Sequence, residues 1–123
     1  MKLKIAGRLP TLNKYIETER ANKFAAAKMK KDFTELVAWE AKSCSLIKGP
    51  ADYTFTWTVP NKRSDPDNIA FACKFVFDGL VMAGKLPNDN LRYVRSITHF
   101  FEIGEPRVQV DIEEAWHSER EVR

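Results

Sequence analysis

Hydrophobic and polar residues alternate along three stretches of the chain, which is the pattern of a strand with one buried face. The clearest is DYTFTWTVP (52–60), where large apolar residues alternate with threonine until a proline ends the run. KLKIAGRLP (2–10) and VQVDIEEAW (108–116) show the same period of two. Residues 91–102 are rich in β-branched and aromatic residues and complete a set of four predicted strands.

Two other stretches have the period of an α-helix. The first runs from about residue 20 to residue 45 and is stopped by KGP at 48–50. Its apolar stripe consists of Met29, Phe33, Leu36, Val37, Ala41 and Cys44. The second begins after Asn68 and continues to about Ala83, where Gly84 is a suitable left-handed terminator. TLNKYIETER (11–20), ahead of the first helix, has the composition of a polar loop.

The predicted order of elements is β-α-β-α-β-β. We expect a single α/β (α+β) domain over residues 1–123, in which two main helices pack on a four-stranded mixed sheet. The two helical crossovers allow parallel pairs, whereas the last two strands, joined by the turn EIGEPR, are expected to form an antiparallel hairpin. The polar tail at 117–123 is expected to fray.

The second helix is apolar around most of its circumference. Apolar residues beyond its core stripe cover much of the remaining surface: Phe71, Phe75, Phe77, Val81 and Met82. A helix that is apolar on most sides is buried on most sides. Because one sheet covers only one face, the sequence predicts a partner subunit in a twofold homodimer.

The composition is that of a soluble domain, with 44% hydrophobic and 30% charged residues, and it is unlike that of a disordered chain. No apolar run reaches the ~18 residues of a membrane-spanning helix. Lys2 and Lys4 are not followed by the apolar segment of a secretory signal, so a cytoplasmic protein with no membrane partner is expected. Cys44 and Cys73 have no metal-type spacing and are expected to be reduced core residues.

The net charge of +3 conceals two halves of opposite sign. Residues 1–63 contain 13 Lys/Arg and 6 Asp/Glu, a net charge of +7, whereas residues 64–123 contain 7 and 11, a net charge of −4. A basic half joined to an acidic half is typical of a protein that binds a polyanion through its basic residues and acts on it with a metal held by its acidic residues. Chance segregation of solvated surface charges accounts for the same numbers equally well.

Acidic residues lie at both ends of the second helix. Asp65 and Asp67 flank a proline in SDPDN, and Asp89 lies in the turn PNDN. One interpretation is capping, because Ser64 or Asp65 followed by Pro66 is a common helix start. The other is a metal site. Converging carboxylates repel one another unless a divalent cation holds them, and oxygen ligands favour Mg²⁺ or Mn²⁺.

Lys74 allows two interpretations as well. At about 100° per residue it shares one stripe of the helix with Asp67, Phe71 and Asp78. Lys74 and Asp78 are spaced for a weak surface ion pair, or the lysine belongs with the acids. Neither His99 nor His117 has other metal-ligating residues nearby in the sequence, so both are expected to be ordinary surface or sheet residues.

These segments, in this order, resemble the RusA-type Holliday-junction resolvases of bacteria and their phages. LPTLNKYI is similar to the family's opening segment, and DPDN, KFVFD, the following GL…AG and NDN are similar to its central motifs. The likeness covers roughly residues 3–113. It implies a homodimeric α/β endonuclease that cuts four-way DNA junctions in a metal-dependent reaction of recombination or repair.

By position, Asp65 and Asp67 match the family's acidic pair, and Asp89 matches its downstream acid. The resemblance therefore implies that these three carboxylates are catalytic and hold Mg²⁺, for which Mn²⁺ can substitute. The downstream acid is often a doublet in the family, and here Asn88 takes its first place. Lys74 matches the family's catalytic lysine when the alignment is anchored on Asp78. When it is anchored on DPDN, Phe71 takes that position.

Candidate phosphate contacts are the basic residues next to the acids and those of the basic half: Lys62, Arg63, Lys14, Arg20, Lys23, Lys28, Lys30 and Lys31. Each of these alone is more often a solvated charge. Two other functions use the same residues. One is a metal-dependent nuclease for flaps and other branched DNA. The other is a catalytically silent dimeric DNA-binding protein in which the acids cap the helix.

Overall fold

The computed structural model describes residues 1–115, which form a four-stranded mixed sheet with helices. The strands are β1 (Lys2–Ala6), β2 (Ala51–Val59), β3 (Val94–Ile103) and β4 (Arg107–Glu114), in the spatial order β1-β4-β2-β3. β4 pairs antiparallel with β1 and β2, and β2 pairs in parallel with β3. The predicted α+β domain with a mixed sheet is confirmed. The tail predicted to fray, Trp116 and His117 lie outside the described residues.

The predicted hairpin of the last two strands is wrong. Only residues 104–106 separate β3 from β4, yet the two strands lie on opposite sides of β2. Gly104 makes this crossing at the end of β2, where its N–H donates to the Val59 carbonyl at 2.9 Å. A Cβ on Gly104 would lie 3.1 Å from the Thr58 methyl carbon. Alternate side chains of β2 are buried. Its central position lets the backbone N–H and C=O groups of this buried strand form hydrogen bonds with β3 on one side and with β4 on the other.

The segment predicted as a polar loop forms a helix, α1 (Leu12–Ala21). The Thr11 hydroxyl caps it by accepting a hydrogen bond from the N–H three residues on, at 3.3 Å. Asn22 ends α1 and caps α2 (Lys23–Glu40), and a 3₁₀ turn, Ala41–Ser43, follows. None of the residues of α1 is fully buried, so no apolar stripe reveals the helix in the sequence.

The second predicted helix is divided into α3 (Pro66–Ala70) and α4 (Cys73–Met82). Between them the N–H groups of residues 72, 74 and 75 donate to carbonyls three residues back, which is the tighter 3₁₀ pattern. Gly84 has a positive φ of 73° just after α4, as predicted for the terminator. No helix within residues 1–115 is both long enough and apolar enough to span a membrane.

A single hydrophobic core lies between the sheet and the helices. Phe75 of α4 packs on Phe33 of α2, with ring centroids 6.1 Å apart, and Phe77 packs on Tyr53 of β2 at 5.0 Å. Helix α2 therefore covers the second apolar face of α4, for which the sequence predicts another subunit. That reason for expecting a dimer is wrong, because α4 is covered on two sides within one chain.

Both cysteines are free thiols, as predicted. Cys44 is buried and Cys73 is half-buried. Burial raises the pKa of both thiols. A raised pKa keeps a thiol protonated at neutral pH and makes it a weak nucleophile.

We expect Gly79→Ala to destabilise the protein, although alanine favours a helix by about 1 kcal/mol over glycine. A Cβ at position 79 would collide with the Val37 side chain and lie 3.0 Å from the Ala38 nitrogen. Helices α2 and α4 would have to move apart, at a cost of about 1–3 kcal/mol. Urea unfolding measures the net loss. Adding Val37→Ala should make the double variant lose less than the two single losses together; full additivity would contradict the contact.

Candidate metal and nucleic-acid site

The two acids of SDPDN stand at the start of α3. Asp65 has the extended backbone of an N-cap residue (φ −71°, ψ 150°), and Pro66 takes the first helical position, as the capping interpretation predicts. The Asp65 carboxylate nevertheless accepts no capping hydrogen bond from the first turn of this helix. Asp65 and Asp67 are both exposed. The cap position is confirmed, and the carboxylate that occupies it is available to a ligand.

Asp65 borders an open groove of about 310 Å³ at the edge of the sheet where the parallel strands β2 and β3 end. We term this the Asp65 groove. Its other lining residues include Val59, Asn61, Lys62, Ile69, Phe101, Glu102 and Ile103. The carboxyl ends of parallel strands are a common position for ligand sites in open sheets.

Glu102 is a second carboxylate in the Asp65 groove, and the sequence did not single it out. The Thr58 hydroxyl donates to its Oε1 at 2.8 Å, and Arg107 donates to the same oxygen at 3.3 Å. These two bonds fix the carboxylate beside the groove. Its position follows from the parallel register of β2 with β3, which no local sequence pattern reveals.

Asp89 lies beyond the opposite end of the helices. It borders an open groove of about 470 Å³, the Asp89 groove, with Thr34, Asp78, Val81, Met82, Pro87 and Asn88. The helical path from Pro66 to Met82, at about 1.5 Å per residue, is up to about 25 Å long. Among residues 1–115 no group of three or more His, Cys, Asp or Glu is placed to hold a metal ion. The three predicted ligands of one chain do not converge.

Lys74 makes the ion pair that its spacing predicts. Its Nζ lies 3.7 Å from Asp78 Oδ2, with the lysine side chain about half exposed. Asp78 in turn borders the Asp89 groove. The pair therefore holds the lysine beside Asp78, one turn further along α4.

Basic residues surround the segment SDPDN (64–68), which we term the acid loop. Lys62 and Arg63 are exposed immediately before it. Lys14 lies with Arg8 in a further groove of about 390 Å³, which meets the Asp65 groove at Ser64. Arg8 donates from Nη2 to the Ser64 hydroxyl at 2.9 Å and so joins the loop after β1 to the acid loop. Sequence reasoning missed Arg8, whose only signal is its charge.

The remaining predicted phosphate contacts lie on α1 and α2: Arg20, Lys23, Lys28, Lys30 and Lys31. Two of them are paired with acids one turn away. Lys28 lies 2.7 Å from Asp32, and Lys31 lies 4.0 Å from Glu35. The hydrogen bond that Lys28 donates to the Asp32 carboxylate raises the pKa of the lysine, which stays charged but is partly neutralised by its partner. Among the predicted lysines, Lys14 and Lys62 have the closest structural link to the acid loop.

No family model and no curated protein matches the chain. The likeness to RusA-type resolvases therefore rests on the motifs quoted above.

Proposed function

We propose that the chain is a Mg²⁺-dependent endodeoxyribonuclease that cuts four-way DNA junctions, with Mn²⁺ able to replace Mg²⁺. The observation that carries the proposal is the pair Asp65 and Asp67. They are exposed carboxylates that follow Lys62 and Arg63 after a single serine, in a motif that resembles the family's acidic pair. A cap needs neither a second acid nor adjacent cations, and the Asp65 carboxylate forms no capping bond.

The acids of one chain supply only part of such a metal site. Asp65 and Asp67 stand together at the start of α3, and Asp89 lies beyond the other end of α4. A twofold axis that sets these helical segments of two chains antiparallel brings the start of one beside the end of the other. We therefore assign to each site Asp65 and Asp67 of one chain and Asp89 of a second copy in a homodimer.

Mg²⁺ held by these carboxylates supplies Lewis-acid activation for phosphodiester hydrolysis. The chain's own residues bind and orient the DNA. Lys62 and Arg63 neutralise phosphates beside the acids, and Lys14 and Arg8 extend this surface into the adjoining groove. Phosphate contacts position a strand without reading its bases, which suits a substrate that is recognised by its branched shape.

The test compares a labelled four-way junction, a flap and a linear duplex, each with Mg²⁺ and with a chelator. We expect symmetric cuts in the junction with Mg²⁺ and no cuts with the chelator. Symmetry is expected because a twofold dimer carries two equivalent sites. Faster cutting of the flap would assign the site to another kind of branched DNA. No cutting with either Mg²⁺ or Mn²⁺ would contradict the proposal.

A second candidate is a catalytically silent dimeric DNA-binding protein. It is favoured by the N-cap position of Asp65 and by the separation of Asp89 from the other two acids. Under this alternative the junction is bound and never cut. The salt dependence of the binding constant then reports only the number of phosphates that the protein neutralises. Divalent ions should have no specific effect on binding.

Lys74→Ala is expected to slow single-turnover junction cleavage by about 10²–10³-fold, the range for losing one group that stabilises a developing oxyanion. Stability should fall by only a few tenths of a kcal/mol, because the pair with Asp78 is solvent-exposed. Lys4→Ala, at an exposed position on β1, is the matched control and should leave the rate unchanged. An unchanged rate for Lys74→Ala would reduce Lys74 to a surface partner of Asp78.

A further inference from the structure

Phe101 is an aromatic side chain of β3 that the hydrophobic core leaves partly uncovered. Its register partner on β2 is Trp57, and residues in register along a parallel pair point to the same face of the sheet. Trp57 is only 3% exposed, whereas Phe101 is 40% exposed. Phe101 lines the Asp65 groove, together with Asp65 and Lys62. The aromatic part of the sheet therefore continues beyond the core into the candidate site.

Two further rings lie behind Phe101 and hold its orientation. The planes of His99 and Phe101 are inclined by 25°, with ring centroids 6.3 Å apart, and those of Trp57 and His99 are inclined by 27°. Trp57 Nε1 donates a hydrogen bond to His99 Nδ1 at 2.9 Å, which fixes the imidazole. Burial lowers the pKa of His99, so at neutral pH the ring is uncharged and Nδ1 can accept this bond. Phe101 is thus the exposed end of a preorganised stack of rings.

Charge and size at the Asp65 groove suit a nucleotide. Lys62 lies in the groove, and Arg63 follows it in the chain. The charge of Glu102, which also lines the groove, is balanced by Arg107 at 3.3 Å. An exposed aromatic ring beside cations is the surface on which proteins stack unpaired bases. The volume of about 310 Å³ is at the lower end of the range for small-molecule sites, which suits a single base.

We propose that Phe101 is a platform on which an unpaired base of the DNA substrate stacks within the Asp65 groove. The proposal rests on the DNA-binding part of the proposed function, to which it adds a contact with a base beside the phosphate contacts of Lys62 and Arg63. Bases inside a duplex have both faces covered, so a base must leave its stack to reach Phe101. Unstacking costs least where pairing is already interrupted, as at a branch point. Phe101 therefore favours branched over linear DNA.

Binding of single strands in the presence of a chelator tests the platform without cleavage. The probes are a labelled oligothymidylate and the same strand with abasic residues throughout, which keeps the phosphates and lacks the bases. Phe101→Ala should weaken binding of the base-bearing strand by about 5- to 150-fold, the loss for one stacked base, and leave binding of the abasic strand unchanged. Lys62→Ala should weaken both by the same factor, because it contacts phosphates. Fluorescence anisotropy measures each dissociation constant.

Phe100→Ala is the matched control. Phe100 is 57% exposed on the same strand, and as the neighbour of Phe101 it points to the opposite face of the sheet. This variant should bind both strands with wild-type affinity. Phe101→Trp should keep the tight binding of the base-bearing strand. Phe101→Leu keeps an apolar side chain of similar size but has no aromatic face, so it should bind as weakly as Phe101→Ala. Circular dichroism checks the fold of each variant.

Three results would overturn the platform. They are equal losses of Phe101→Ala on the two strands, wild-type affinity of Phe101→Leu for the base-bearing strand, and a wild type that binds the two strands equally or binds neither. Cleavage with Mg²⁺ is measured separately on the four-way junction. A protein that cuts the junction but fails these comparisons has the proposed activity without the platform. A protein that passes them but never cuts has the platform without the proposed activity.

Discussion

Asp65→Asn, Asp67→Asn and Asp89→Asn are each expected to lower Mg²⁺-dependent junction cleavage by about 10³-fold or more, beyond the loss for a single oxyanion-stabilising donor. Asparagine keeps the size of the side chain and removes the negative charge that attracts a divalent cation. Junction binding should persist or tighten, because negative charge beside the phosphates is lost. Single-turnover rates and fluorescence anisotropy measure the two effects separately.

The matched control is Glu113→Gln, which removes one exposed carboxylate from β4. It should cleave at the wild-type rate and bind with wild-type affinity. Full activity in any two of the three aspartate variants would overturn the metal-site assignment. A parallel loss of binding in all three would instead indicate that the acids support the structure of the DNA-binding surface.

A mixture of Asp65→Asn with Asp89→Asn is expected to recover activity that neither variant has alone. If each site takes Asp65 from one chain and Asp89 from the other, a mixed dimer contains one intact site and one site with both changes. Random exchange makes about half of the dimers mixed, so about a quarter of the wild-type sites return. A strand-nicking assay on the junction after mixing and subunit exchange counts those sites.

Two outcomes of the mixing experiment are informative against the assignment. No recovery, with subunit exchange shown by a mass or fluorescence label, would mean that the three acids do not combine across two chains. A mixture of Asp65→Asn with Asp67→Asn is the negative control. Both changes lie at the start of α3, so no mixed dimer regains an intact site.

The strands could be predicted because their signal is local, but their pairing could not. The alternation in DYTFTWTVP identifies β2 without reference to the rest of the chain. Which strands flank β2 depends on the whole core. A short turn at 104–106 suggested a hairpin, yet the most buried strand takes the centre and separates β3 from β4. The tertiary demand for burial overrides the local preference for a tight turn.

Helix α1 shows a different limit. Thr11 and Asn22 are residues that cap helices, and both do so here. Without an apolar stripe between them, the same residues are also typical of a loop. The two capping residues, rather than hydrophobic periodicity, are the signal in the sequence that identifies α1. They also mark where α1 ends and α2 begins, which the predicted single helix from residue 20 missed.

Part of the candidate site could be predicted from the sequence. Asp65 at the cap position and Pro66 after it were correctly placed, because a helix start has a local signature. The distance from these residues to Asp89 was not predictable, since it depends on the length and direction of α3 and α4. Arg8 joins the acid loop through Ser64, and Glu102 joins it through the parallel strand pair. Such tertiary contacts leave no local pattern.

The ladder between β1 and β4 also governs when the protein can fold. It pairs Lys2 with Asp111, so β1 cannot form its ladder until β4 has been synthesised more than 100 residues later. Leu3 and Ile5 stay exposed to water on the ribosome while α2, β2 and α4 can already assemble. Closing such long loops is slow and makes nascent chains prone to aggregation. Native folding thus cannot be completed until β4 has been synthesised, and a chain truncated before Arg107 would lack the strand with which β1 pairs.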